Sequence, residues 1–304
     1  MQERLLSPRL LLFTSEGLYW RCRGGSHQLP ETLRPGWPAL IPQLPSSVFL
    51  GKAETSITPR EAFKAWQNVL SDYGQSSVTY DEDKLIAIAG VSKRFDKPLG
   101  LGLGQFAAGL WLEFLVEGLR WTVEPRKIFR KRPSYRAPSW SWAAVNGSLP
   151  MSAPQPDALL ARGRGLIVEV LDGKIPYAET IRGTVIVDGP FLRNVSMGLD
   201  RLQPFGYYLS VHRSGDLPGE EEAERRIGIG QLDPGTWPAE VTFHCLGLVR
   251  RKEETSEETE SILCDGLLLI LGQEDGMEKF VRTGWFRGFN AFNELAEQET
   301  VFIG

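Results

Sequence analysis

What this chain of 304 residues has little of narrows its chemistry first. Histidine and cysteine occur three times each, as His27, His212 and His244, and as Cys22, Cys245 and Cys264. An odd cysteine count with no Cys-x-x-Cys pair argues against a disulfide framework or a structural zinc site, and leaves buried thiols in a reducing compartment as the expectation. No serine or cysteine stands in a nucleophile motif such as Gly-x-Ser-x-Gly. His244 and Cys245 are adjacent, so on a strand they point to opposite faces and cannot readily chelate one metal. The 38 acidic residues allow many carboxylate pairs, but nothing in the sequence selects one. No catalytic, cofactor-binding or metal-ligating residue is therefore assigned, and the chain is expected not to be an enzyme.

Excess charge and long apolar runs are also missing. A formal net charge of -4 gives no electrostatic case for nucleic acid or an anionic membrane surface. The longest strongly apolar run lies near Leu267 to Leu271, far short of a membrane span, and the opening MQERLLSPRLLLF is too charged for a secretory leader. These features predict a soluble, cytoplasmic protein whose partner is another, unidentified protein.

Gly and Pro are plentiful, at 32 and 20 residues, and are spread along the chain, as many turns between short elements require. Leu10–Phe13 and Leu18–Cys22 flank the turn-like Thr14–Gly17 and predict a hairpin. Residues 29–58 read as a long irregular connection. Three helices are then expected. The first starts with a capping box: Thr58 as N-cap, Pro59 behind it and Glu61 three residues on, with Phe63, Trp66, Leu70 and Tyr73 on one face. The second repeats the device at Thr79 and Glu82, with Leu85, Ile88, Ser92 and Phe95 sharing a face beside Ala89. The third, Gln105 to Trp121, carries a wide stripe of Ala107, Leu110, Trp111, Phe114, Leu115 and Gly118. From Ser139 the chain alternates, with Trp140, Trp142 and Ala144 on one side, which is strand periodicity with a bulky face.

Residues 148–157 read as a linker. Beyond them strands are expected at Leu166–Leu171, Thr184–Val187, Tyr207–Val211, Val241–Val249, Ile262–Leu271, Lys279–Trp285 and Thr300–Ile303. Charged loops are expected at Gly219–Arg226 and Arg251–Ser261, the second as a solvated hairpin tip. The expected class is α+β: a helical or mixed N-terminal half, residues 1–150, packed on a β-rich C-terminal half, residues 151–304, built as a sandwich or partly closed barrel.

Three segments invite a functional reading and are better explained structurally. Leu99–Gln105 resembles a phosphate-cradling glycine loop before a helix, but no Lys-Ser/Thr follows it. The Trp140/Trp142 face could stack sugars or bases, yet two large apolar rings beside helical stripes favour a core between the halves. The basic run Arg126 to Arg132 is interrupted by Ile128 and Phe129 and reads as a solvated loop.

Several blocks, taken in order, resemble a known family. Gln2–Arg9 with Leu12-Phe13-Thr14 and Leu18–Cys22 resembles the closing segment of the fungal heterokaryon-incompatibility (HET) domain. Asp83–Val91 is similar to that family's DKLxAIxG helix and Ala108–Trp111 to its AGLW helix. Tyr135–Ala143, YRAPSWSWA, is the closest match, and Gly284-Trp285-Phe286 resembles a strand near the family's C-terminus. The blocks fit over nearly the whole chain. The family's upstream SYxWG and IDxxCIxQ blocks are absent, and Ser76 stands where its YSxRxLT segment has arginine. The resemblance implies a cytosolic component of fungal self/non-self recognition and cell death. Residues 1–150 would be the trailing part of the HET domain plus a helical region, a truncated scaffold acting through protein contacts. The alternative is an enzyme or biosynthetic accessory protein with an unrecognised site between the halves.

Overall fold

A computed structural model of the chain describes residues 5–7, 9–14, 17–22, 25–28, 57–76, 78–99, 105–123, 135–151, 158–172, 177, 180–199, 207–213, 223–234, 241–252, 262–274 and 277–304. The expected hairpin is present: β1 (Arg9–Thr14) pairs antiparallel with β2 (Gly17–Cys22), in register from Arg9↔Cys22 to Thr14↔Gly17. A third strand, β3 (Gly25–Gln28), continues the sheet on β2. Most of residues 29–58, expected as irregular, lies outside the described residues.

Helix α1 (Pro59–Gln75) begins where its capping box predicts. The Glu61 backbone N–H donates to Thr58 Oγ1 at 3.3 Å and the Thr58 N–H donates to Glu61 Oε2 at 2.9 Å. Two donors left open by the first turn are thus satisfied. Phe63, Trp66, Leu70 and Tyr73 are all buried. Helix α2 (Asp83–Leu99) buries Leu85, Ile88, Ala89, Ser92 and Phe95 as expected, and Phe95 meets Trp66 edge-on at 5.4 Å. Thr79 does not cap it. The helix starts four residues later, after a turn in which the Asp83 N–H donates to Tyr80 O at 3.2 Å. The reason is distant in sequence: Arg136 draws the Asp81 carbonyl to itself at 2.9 Å, which holds the preceding residues out of the helix.

The expected third helix, Gln105 to Trp121, is replaced by several short pieces. Strands β4 (Phe106–Ala107) and β5 (Leu110–Trp111) form a tight hairpin, followed by one 3-10 turn (Leu112–Phe114) and a single α-turn, α3 (Leu115–Gly118). Ala108 and Gly109, at φ 43° and 90°, make the corner, a conformation no helix tolerates. A Cβ on Gly109 would stand 2.6 Å from Trp142 Cε2, so the indole rests directly on that backbone. Ala107, Leu110, Trp111, Phe114 and Leu115 of the apolar stripe are nevertheless buried, reaching the core by this other route, and Gly118 is half-buried. Strand β6 (Trp121–Val123) follows and pairs with β7 (Ser148–Pro150), so residues 148–150 are part of the fold and not of a linker; residues 152–157 lie outside the described residues. The Trp140–Ala144 segment is not a strand. Pro138 and Ser141 close a turn, and Trp142–Ala144 is a 3-10 helix with the Ser141 hydroxyl accepting from the Ala143 N–H.

The C-terminal half is dominated by one large, mostly antiparallel sheet. Its strands are β8 (Arg162–Asp172), β9 (Thr180–Leu199), β10 (Tyr207–Arg213), β11 (Ala223–Leu232), β12 (Phe243–Lys252), β13 (Ile262–Glu274), β14 (Met277–Gly288) and β15 (Glu297–Ile303). The order is β10-β11-β14-β13-β12-β9-β15, with β8 on β9 and further pairings of β10 with β9 and β14 with β15. All seven expected strands are present and longer than expected. Strand β11 was not foreseen, and Ala223–Arg226, expected in a charged loop, belong to it. Its glycines serve close packing: a Cβ on Gly230 would lie 2.8 Å from Leu268 Cδ1. The loop expected at Arg251–Ser261 is shortened, since Arg251 and Lys252 pair with Leu263 and Ile262; its acidic run lies outside the described residues.

One buried cluster joins the two halves. It contains Trp66, Phe95, Trp111, Trp121, Trp140 and Trp142 together with Val185, Val187, Leu246, Leu267, Val301 and Ile303. The alternate residues Cys245 and Leu268 face a second cluster with Val195, Leu209, Ile227 and Phe286, covered by α4 (Asn290–Leu295) through Phe292. No described helix is long and apolar enough to cross a membrane.

Candidate functional site

The segment Tyr135–Asn146 is the most heavily bonded irregular stretch among the described residues. Arg136 is buried, and its guanidinium donates to Ala143 O at 2.5 Å, Asp81 O at 2.9 Å, Asp81 Oδ1 at 3.3 Å and Asn146 Oδ1 at 2.7 Å. Burial holds this guanidinium below the usual arginine range, opposed by the Asp81 carboxylate. Ser139 Oγ donates to Gly304 O and accepts from the Arg282 N–H at 3.0 Å. Trp140 Nε1 donates to Gly183 O at 2.9 Å, Ser141 Oγ to Ala108 O at 2.5 Å and Trp142 Nε1 to Gly109 O at 2.9 Å. Trp121 Nε1 returns a bond to Trp140 O at 3.0 Å. A buried irregular backbone must find partners outside a ladder, and here side chains supply them. Both tryptophans are buried, so the segment offers no stacking platform.

Lys84 and Tyr73 extend this clasp to the helices. Lys84 Nζ donates to Val145 O and sits 5.4 Å from the Trp142 ring. Tyr73 Oη donates to Lys84 O at 2.6 Å, and burial pushes its phenol up to about 12.

A buried set of charges forms the second candidate, and the sequence reading did not find it. Arg282, on β14, donates to Asp233 Oδ2 at 2.9 Å, to Leu119 O at 2.7 Å and to Trp121 O at 2.6 Å, while its guanidinium carbon sits over the Trp121 ring, 3.3 Å from the centroid. Asp265, on β13, meets Arg120 and Arg287, each at 3.3 Å. These pairs tie the chain around Leu119–Trp121 to the sheet. Their partners are other charges and backbone carbonyls, which is how buried ions are retained. A partial signal existed: Arg282 lies two residues from Phe280, on the same face of the strand, and a charge in phase with a buried aromatic demands a partner; the ladder then shifts register, so Gly284 and Phe286 face the other way.

Of the histidines and cysteines weighed from sequence, the side chains of His244, Cys245 and Cys264 are described; the two thiols share the second cluster and His244 does not join them. His244 is stacked on Phe191 at 5.9 Å and edge-on to Phe280 at 5.1 Å, with its Nδ1 buried and unbonded. Burial lowers its pKa, helped by Arg193 and opposed by Glu299. Cys245 points the other way, into the second cluster, as adjacency on a strand requires. Cys245 and Cys264 are free, buried thiols; burial raises both, Cys264 to about 12. They are poor nucleophiles in that state. The side chains of Cys22, His27 and His212 lie outside the described residues, as do residues 100–104 and the basic run. The phosphate-loop idea loses its helix, since the chain at Gln105 leads into the β4–β5 hairpin. Among the described residues no three His, Cys, Asp or Glu side chains gather to hold a metal.

Between α1, the β4–β5 hairpin and β7 lies a cavity of about 10 Å³, lined by Trp66, Trp111, Trp121, Trp142, Glu117 and Ser148 among others. That volume is room for about one water molecule. Trp111 Nε1 and Ser148 Oγ are buried without a protein partner, which suits such a water. Glu117 is already paired with Arg60 at 3.4 Å. No family model, curated protein or solved structure matches the chain.

Proposed function

We propose that this chain is a non-enzymatic scaffold related to HET-domain proteins, acting in the cytoplasm through contacts with another protein in fungal self/non-self recognition and cell death. The observation that carries the reading is the use made of Tyr135–Ala143, the block with the closest likeness to that family. Its arginine, serines and tryptophans are bonded to backbone carbonyls of four separate stretches, around Asp81, Ala108, Gly183 and Gly304. A segment so occupied acts by holding other elements in place. Within the same proposal the C-terminal half is a partly closed barrel and not a sandwich. The support is that β10 pairs with both β11 and β9, returning the ladder on itself.

The rival reading, an enzyme with a site between the halves, needs a cleft wide enough for a substrate. The cavity lined from Phe63 to Pro150 lies within the N-terminal half and takes about one water, so it does not supply that cleft. Expression of the chain alone in a host strain, with cell death scored, tests the proposal. Normal growth is the expected result; strong autonomous toxicity would remove the scaffold reading.

A further inference from the structure

We infer that the outer edge of β8 is a self-association site, where two copies of this chain pair strand to strand about a two-fold axis near Ile167. Among the described residues β8 has one neighbour, β9, so its other edge presents an open row of backbone donors and acceptors. The pairing with β9 is irregular at Gly163/Gly165 and at Val170/Asp172, and regular for the six residues between, Gly165–Val170. In that regular stretch Ile167, Val168 and Val170 are exposed, at 62%, 39% and 57%. Consecutive exposed positions mean that both faces of this part of the strand meet solvent, so nothing described in the chain covers it. Exposed β-branched residues on a straight, open edge are what a pairing strand needs, and what a solvated edge normally avoids.

The occupant is set by charge. The strand is basic at its start, with Arg162 and Arg164, and acidic at its end, with Glu169 and Asp172. An antiparallel copy related by a two-fold axis at Ile167 places the basic end of each strand along the acidic end of the other, and Ile167 against its own copy. A strand from an unrelated protein would have no reason to match this polarity. Arg164 and Glu169 have partners within the chain, Asp188 and Arg182, yet remain 57% and 66% exposed, so each retains capacity for a further bond. The contact is isologous and closes at two copies. Eleven residues at about 3.3 Å each give an edge of roughly 36 Å. This inference is independent of the proposed scaffold function.

Sedimentation velocity across a concentration series tests it. The wild-type chain is expected to pass from monomer to dimer. Arg164→Glu and Glu169→Arg, each of which sets like charges beside each other, are expected to raise the dissociation constant at least tenfold, and Ile167→Lys to do the same. All three positions are exposed, and unchanged thermal unfolding of each variant separates lost pairing from lost fold. The decisive arm mixes Arg164→Glu with Glu169→Arg: the mixed pair is complementary at both ends and dimerises again. A wild-type chain that stays monomeric at every concentration, a dimer indifferent to Ile167→Lys, or a mixture that stays monomeric would each overturn the inference.

Discussion

The two halves of this molecule solve the same backbone problem by different means. In the sheet, carbonyls and amides satisfy one another along strands of up to 20 residues, and side chains are free to fill the two clusters. Between Phe106 and Pro150, elements run for two to four residues, and side chains must do the bonding. Trp121, Trp140 and Trp142 each use an indole N–H for it, and Ser141 a hydroxyl. The tryptophans are therefore hydrogen-bond donors as much as core filler. Short irregular segments can be as firmly fixed as a sheet, provided that each buried carbonyl has a named donor.

Substitutions at the junction should break the comparison most severely. Arg282→Met removes the ion that both halves share, together with its bonds to Asp233 and to the Leu119 and Trp121 carbonyls. A loss of about 3–5 kcal/mol in urea unfolding is expected. Because each single change leaves one half of a buried ion pair behind, Arg282→Met with Asp233→Leu should cost less than the two single changes added together. Within the irregular half, Trp140→Ala should cost about 3–5 kcal/mol. An unchanged melting temperature would mean that the indole does not hold β9 at Gly183.

Smaller effects sharpen the contrast through pH. The Tyr73 phenol stands near 12 in the fold against about 10 when exposed. The unfolded chain therefore loses this proton first as pH rises, and stability present below pH 10 is lost between about 10 and 12. Cys264 titrates in the same range, so Tyr73→Phe should make the alkaline loss shallower without abolishing it. It should also cost about 1 kcal/mol at neutral pH for the bond to Lys84 O. In the sheet, His244 is held neutral by burial, with its pKa below 6.5. Its contribution is full above pH 6.5 and is lost as pH falls through the folded value, so His244→Leu should flatten the acid side of a stability–pH curve.

The start of helix α1 was legible to the residue, because cap, proline and stripe all agree in one short stretch. The buried identity of the 105–121 stripe was legible too, but its shape was not. The apolar spacing suits a helix, and the corner at Ala108 and Gly109 is fixed by Trp142, thirty-three residues away. The same holds for the Thr79 cap, displaced by Arg136 reaching Asp81 at a separation of 55. Strand β11 was hidden because its glycines answer to side chains on neighbouring strands, which a linear reading does not see. Of the bonded clasp, the two tryptophans were recognised as core; their carbonyl partners come from other parts of the chain. The buried charges left one trace, an arginine two residues from the buried Phe280 on β14.

Strand β9 has a consequence for the order in which the protein assembles. Its first half is flanked by β8, close in sequence, and by β15, whose Glu299 meets Arg193 across a separation of 106 residues. The local hairpin can form as soon as Leu199 has left the ribosome. The opposite side of Val185–Phe191 then stays unpaired while about a hundred further residues are made, which at ordinary rates of synthesis takes roughly 5–20 seconds. Closure over so long a loop is slow, and the waiting edge is open to other nascent chains. Yield in cells should therefore depend on translation speed and chaperone supply more steeply than the stability of the finished fold suggests.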